Sequence, residues 1–239
     1  MQIPWNNSKE YYDIQSKDLF SHLDDLPFYH LSVVGNTPEE FIEYIIEESG
    51  IDSNSDVVDF GCGAGYVVNK LSQVCKIEGV SDSNECINQS RINFPYNTYI
   101  LENMETYSGS NKTHCFFLES LFYSDIEKTI ENCSRILKNG GIIFMKEWFD
   151  VSNNYQTTKN REYFENFFKY YPKKVSDVID ISTKYGFELV SIKNLLNIIN
   201  NEYWRKSLIY HHKCMMDYKE PYTEFPHTEP YQIVLKKVL

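Results

Sequence analysis

One stretch constrains this chain more than any other: Val57-Val58-Asp59-Phe60-Gly61-Cys62-Gly63-Ala64-Gly65. A hydrophobic run breaks into glycine at alternate positions before entering a helix. Glycine lets the backbone turn tightly and lets a ligand approach closer than a Cβ would allow. The stretch therefore predicts a buried strand, a ligand-cradling loop and a helix start. A nicotinamide-nucleotide loop carries G-x-G-x-x-G and sets a pyrophosphate at the helix N-terminus. Here the spacing is G-x-G-x-G, and an acid, Asp59, precedes it. An anion beside the ligand disfavours a diphosphate and favours a cationic, amino-bearing group.

The surrounding sequence gives this loop a sheet to sit on. Apolar runs recur at Lys76–Val80, Thr98–Leu101, His114–Leu118 and Ile142–Met145. Between the last two, Ile126, Ile130, Cys133 and Leu137 fall at i, i+4, i+7 and i+11, the spacing of an amphipathic helix. Asn139-Gly140-Gly141 is expected to end that helix with a left-handed glycine cap. A helix over Val175–Tyr185 closed by Gly186, a strand over Phe187–Ile192, a helix over Ile198–Met216 and a strand over Tyr231–Val238 follow. Upstream, Thr37-Pro38-Glu39-Glu40 is a capping box with proline at the first helical position, opening a helix through Glu48. Strands alternating with helices predict right-handed crossovers and a parallel sheet. The expected architecture is α/β: a Rossmann-like, seven-stranded, mainly parallel sheet with helices on both faces. The whole of 1–239 is read as one domain, with a helical lid over 1–50, a core over 51–149, and substrate-side lids with the remaining strands over 150–239. The stretches Val151–Lys173 and Asn194–Pro230 leave the βα rhythm near strand carboxyl ends, where open α/β folds bind ligands.

Charge narrows the partners. With 23 Lys+Arg against 34 Asp+Glu, the net charge of the 239 residues is −11. Phosphate-tracking nucleic-acid binding and docking on anionic membranes both draw on clustered cations, so neither is expected. No apolar run suggests a membrane span and the first residues carry no secretory h-region. The six cysteines stand singly, as free thiols in a reducing cytoplasm would. A cytoplasmic protein acting on a small molecule is expected, without a metal. Aromatic residues make up 15 % of the chain.

A ribose-binding acid is expected roughly 20 residues after such a loop, at the end of the second strand. That position is Ser81, with Asp82 beside it. With these residues in place, the chain from about residue 9 to 193 resembles the class I S-adenosylmethionine-dependent methyltransferases. The resemblance implies S-adenosylmethionine as cofactor, with S-adenosylhomocysteine as product. It assigns Asp59, Gly61, Gly63 and Gly65 to the methionine moiety, Ser81 or Asp82 to the ribose hydroxyls, and Asn103-Met104 to adenine. Leu137–Gly141 matches the family's turn before its fifth strand. Ser81 is a departure, since most members carry Asp or Glu there.

Two stretches resemble the carbon-methylating branch, which includes cyclopropane synthases, sterol side-chain methyltransferases and geranyl diphosphate C-methyltransferases. Tyr11-Tyr12-Asp13-Ile14 with Phe20 is similar to its Tyr-Asp entry, whose tyrosines lie over the cofactor. Phe117-Leu118-Glu119-Ser120-Leu121-Phe122-Tyr123 is similar to its Glu-bearing segment, which implies Glu119 as general base. The chemistry gives that acid a reason. An alkene that takes a methyl becomes a carbocation and must lose a proton, which a shielded carboxylate accepts, while aromatic faces stabilise the cation. The alternatives are an O- or N-methyltransferase of a small natural product, or a methyltransferase-fold cyclase or binding protein that uses the cofactor structurally.

Other signals read more simply. His211-His212-Lys213-Cys214 lacks a second ligand pair at zinc spacing and reads as a solvated helix end. His30 reads as structural, Lys173-Lys174 and Arg205-Lys206 as solvated surface. Glu162–Tyr171 spreads rings around a helix and reads as part lid, part core.

Overall fold

The computed structural model describes residues 34–151, 172–199 and 228–238. These hold one seven-stranded sheet: β1 (Asp56–Phe60), β2 (Lys76–Ser81), β3 (Thr98–Leu101), β4 (Lys112–Leu118), β5 (Leu137–Asp150), β6 (Phe187–Asn194) and β7 (Thr228–Lys237). The spatial order is β3-β2-β1-β4-β5-β7-β6. The first five strands are parallel, and β7 runs antiparallel between β5 and β6. The expected mainly parallel architecture is what the chain adopts. Its strand order reverses between β1 and β4, and the crevice beyond their carboxyl ends is the topological switch point, where such sheets bind ligands.

Period-two alternation sorts the strand residues into two apolar layers. Val58, Phe60, Cys115, Phe117, Ile143 and Met145 face one side, against α4 (Ile126–Ile136) and α5 (Val175–Lys184). Val57, Phe116 and Phe144 face the other, against α1 (Pro38–Ser49), α2 (Tyr66–Leu71) and α3 (Asn84–Asn93). Each of these wholly buried Val or Phe side chains contributes about 1.5–3 kcal/mol relative to exposure. Burial on both faces is why Val57-Val58 and Cys115–Leu118 are consecutive apolar residues and do not alternate with polar ones.

The helix ends show where local signals hold and where they are overridden. At α1, Thr37 Oγ1 accepts from the Glu40 amide at 3.1 Å, as a capping box requires. The return bond goes one residue further back, Glu40 Oε2 accepting from the Asn36 amide at 2.6 Å. Gly50, at φ 69°, closes the helix and donates to the Ile46 carbonyl. At α4 the expected glycine cap is not used. The helix ends at Ile136, Leu137 is already extended at φ −76°, ψ 139°, and Gly140 takes its positive φ inside β5. Leu137 satisfies the helical spacing and opens the strand, so the periodicity ran past the true boundary.

Strand β4 also begins earlier than its apolar run, at Lys112. The Lys112 ammonium is buried between Asp56 Oδ1 and Glu78 Oε1, each at 2.6 Å. A buried charge with two counter-charges is tolerated where an isolated one would not be.

Candidate active site

The loop after β1 is built by its glycines. Gly61, Gly63 and Gly65 take φ values of 74°, 53° and 84°, all in the left-handed region where an L side chain is strained. Their surroundings differ. A Cβ on Gly61 would lie 2.4 Å from the Ser120 Cβ, and one on Gly65 would lie 2.4 Å from the Tyr99 hydroxyl oxygen. A Cβ on Gly63 would meet nothing within 4 Å. Two glycines thus close the loop onto the protein, and the middle one leaves a clear approach to the backbone.

Asp59 sits below this loop, 2 % exposed, on the same face of β1 as Val57. Burial pushes its carboxyl up to about 7. A cationic group arriving at the loop would favour the ionised form.

At the end of β2, the Ser81 hydroxyl accepts from the Ser83 amide at 3.2 Å, so it shapes the turn into α3. Asp82 Oδ2 accepts from Asn103 Nδ2 at 3.4 Å, and Asn103 Oδ1 accepts from the Glu105 amide at 2.7 Å. Asp82 and Asn103 are therefore brought together at the carboxyl ends of β2 and β3. Met104 packs partly into the core, and its carbonyl accepts from Asn132 Nδ2 at 2.9 Å.

Glu119 follows β4 with φ 58°, one of two described non-glycine residues with positive φ. Such a conformation costs about 1–2 kcal/mol and persists where the surroundings over-determine it. Here they do. The Glu119 amide donates to the Lys146 carbonyl at 2.8 Å, and Glu119 Oε1 accepts from both the Lys146 ammonium and Trp148 Nε1, the latter at 3.1 Å. Glu147, pointing the opposite way from β5, takes the next two amides, Ser120 and Leu121, each at 2.7 Å on Oε1. Ser120 Oγ in turn donates to the Phe60 carbonyl at 2.6 Å, tying the loops after β1 and β4 together. The Glu147 carboxyl is wholly buried, and that burial raises it to about 8.

The structure thus gathers Asp59, the three glycines, Asp82, Asn103 and Glu119 along the carboxyl edge of the sheet. Lys146, Glu147 and Trp148 were not expected there. Their signal is faint: three polar-bearing residues directly after Ile142–Met145, which read as the strand running out. Tyr11, Tyr12, Phe20, His30, the ring-rich Glu162–Tyr171, Arg205-Lys206 and His211–Cys214 lie outside the described residues. Among the described residues, no cluster of three His, Cys, Asp or Glu side chains could hold a metal ion. No described helix is long and apolar enough to cross a membrane.

Residues 58–145 match the family described as a methyltransferase domain. No curated protein matches the chain in sequence. Among solved structures, the [4+2]-cyclase SpnF superposes with a TM-score of 0.77 at 14 % identity, all of both chains being covered. The geranyl diphosphate C-methyltransferase of Streptomyces coelicolor gives 0.75 at 16 % identity over 97 % of this chain and 96 % of that one. A cyclopropane synthase from Mycobacterium tuberculosis gives 0.75 at 16 % identity over 96 % and 99 %. At such identities the likeness is one of fold.

Proposed function

We propose that this chain, which carries a methyltransferase domain on a class I methyltransferase fold, binds S-adenosylmethionine and methylates a small, largely apolar acceptor. The observation that carries this is the open approach at Gly63 above the buried Asp59, at the sheet's switch point. A backbone left open to approach at Gly63, with an acid beneath it, fits an amino-bearing cofactor. Asp59, Gly61, Gly63 and Gly65 would hold the methionine moiety, Asp82 or Ser81 the ribose, and Asn103 with Met104 the adenine. Tyr11 and Tyr12 would cover it. When bound, the cofactor supplies an electrophilic methyl on a sulfonium.

On the acceptor side, carbon methylation is the favoured reading. Glu119 would take the proton that the methylated, cationic carbon gives up. Its place after β4, tied through Ser120 to the glycine loop, supports that role.

Titration calorimetry with S-adenosylmethionine and S-adenosylhomocysteine tests the cofactor site, and the absence of binding rejects the reading. A cofactor-consumption screen against prenyl diphosphates, free terpenes, phenols and amines then identifies the acceptor, and deuterium-methyl cofactor with NMR of the product locates the methylated atom.

One observation favours a second reading. Glu119 Oε1 already receives two donors, as a carboxylate used for orientation would. The fold is shared end to end with a [4+2]-cyclase. A product isomeric with its substrate, carrying no deuterium, would select that reading.

A further inference from the structure

Lys146 and Trp148 stand two residues apart on β5 and so share one face of the sheet. Both address a single atom, Glu119 Oε1. The Glu119 backbone is fastened to the same strand through the Lys146 carbonyl. Two donors on one oxygen, with the main chain held beside them, fix the plane of the carboxylate.

The two donors differ in kind. Lys146 brings a charge, is wholly buried, and has the Phe41 ring 5.8 Å from its ammonium. Removing it would disturb the charge balance of the interior. Trp148 is only partly buried and offers a neutral N–H. Its replacement by phenylalanine deletes that donor and leaves every formal charge in place.

We infer that Trp148 is the positioning residue of Glu119, its indole N–H setting the direction in which the carboxylate faces an acceptor that turns cationic on methylation. The inference rests on the acceptor-side reading of Glu119. Direction matters because a proton acceptor works only within hydrogen-bond reach of the proton it takes, and a misplacement of about 1 Å can cost two orders of magnitude.

The test uses the full chain saturated with S-adenosylhomocysteine. N,N-dimethyloctylamine, an apolar amine protonated at neutral pH, serves as the probe for the cationic acceptor and is titrated in by calorimetry. Glu119→Gln is expected to weaken the amine about tenfold or more. Trp148→Phe is expected to weaken it roughly fivefold, near the size of one ordinary hydrogen bond, with S-adenosylhomocysteine affinity unchanged. The chain has three tryptophans, so the indole N–H signals in a proton–nitrogen NMR spectrum are few. The signal lost in Trp148→Phe should move upfield in Glu119→Gln. Amine binding by Trp148→Phe equal to wild type, or an indole signal indifferent to Glu119→Gln, overturns the inference. Amine bound equally, or not at all, by wild type and Glu119→Gln overturns it too, and leaves the cofactor reading standing. Failure of S-adenosylhomocysteine to bind wild type overturns both.

Discussion

The Cα of Gly61 faces Ser120 so closely that a Cβ built on it would lie 2.4 Å from the Ser120 Cβ. The loop that follows β1 and the loop that follows β4 are thus packed backbone against side chain at the switch point. Gly61→Ala forces both a clash and a positive φ of 74° on an alanine. It is expected to cost about 2–4 kcal/mol of stability, adding the left-handed penalty to overpacking. Gly63→Ala meets no neighbour and should cost only about 1–2 kcal/mol, while weakening S-adenosylmethionine far more. Chemical denaturation beside calorimetry separates the two, and equal effects of both variants on binding would sink the distinction.

Asp59 makes stability depend on pH in a defined direction. Its folded carboxyl titrates at about 7, above the ordinary value near 4, because burial penalises the charge. The folded state binds the proton more tightly than the unfolded chain. The stabilisation it gives is therefore complete below pH ~4 and is lost as pH rises through 7. Glu147, raised to about 8, adds a slope of the same sign up to that value. Asp59→Asn should make the stability profile of the ligand-free protein less steep between pH ~4 and 7, leaving the slope that Glu147 supplies, which denaturant titrations at several pH values would show. The same variant should bind S-adenosylmethionine more weakly, since an amide offers a cation no charge.

Glu147 separates acceptor from charge. Two amides, Ser120 and Leu121, donate to one of its oxygens. Glu147→Ala leaves both buried donors without that acceptor and is expected to cost about 2–5 kcal/mol. Glu147→Gln keeps an oxygen in place, and near neutral pH, where the wild-type carboxyl is mostly protonated, the change should stay within about 1 kcal/mol. Thermal melts of the two variants at pH 7 decide the matter; equal destabilisation would show that charge, not the acceptor oxygen, holds this loop.

Glu119→Gln should retain cofactor affinity and lose turnover by roughly 100-fold or more, the usual contribution of a positioned base. It also removes the counter-charge of the wholly buried Lys146. A stability loss of about 2–4 kcal/mol is expected, relieved in the Glu119→Gln, Lys146→Met double variant. Full turnover by Glu119→Gln would end the general-base role.

What the sequence disclosed and what it hid follow from range of interaction. The glycine loop, the capping box at Thr37 and the apolar strands are local signals, read within a few neighbours. The apolar run predicts a strand over Ile142–Met145, yet β5 runs Leu137–Asp150, and its extension beyond Met145 is hidden because Lys146, Glu147 and Asp150 are polar residues buried inside it. Lys146 and Glu147 have partners in the loop after β4, 26 or 27 positions earlier in the chain. Polarity in a single sequence looks like solvent unless the distant partner is known. The same holds for Lys112, whose counter-charges sit on β1 and β2. The assignment of Glu119 came from resemblance; its positive φ and its two side-chain donors did not.

The insertion of β7 between β5 and β6 makes the last-made strand the one that completes the sheet. β5 and β6 are separated by one strand's place, about 9–10 Å across, and neither can complete its ladder without residues 228–237. Until the stretch between β6 and β7 has been made and β7 has followed it, β5 keeps an open outer edge and β6 has no partner strand, so both are templates for a foreign strand. The interval is 33 residues long (228 − 194 − 1 = 33). A chaperone that shields strand edges would find its window there.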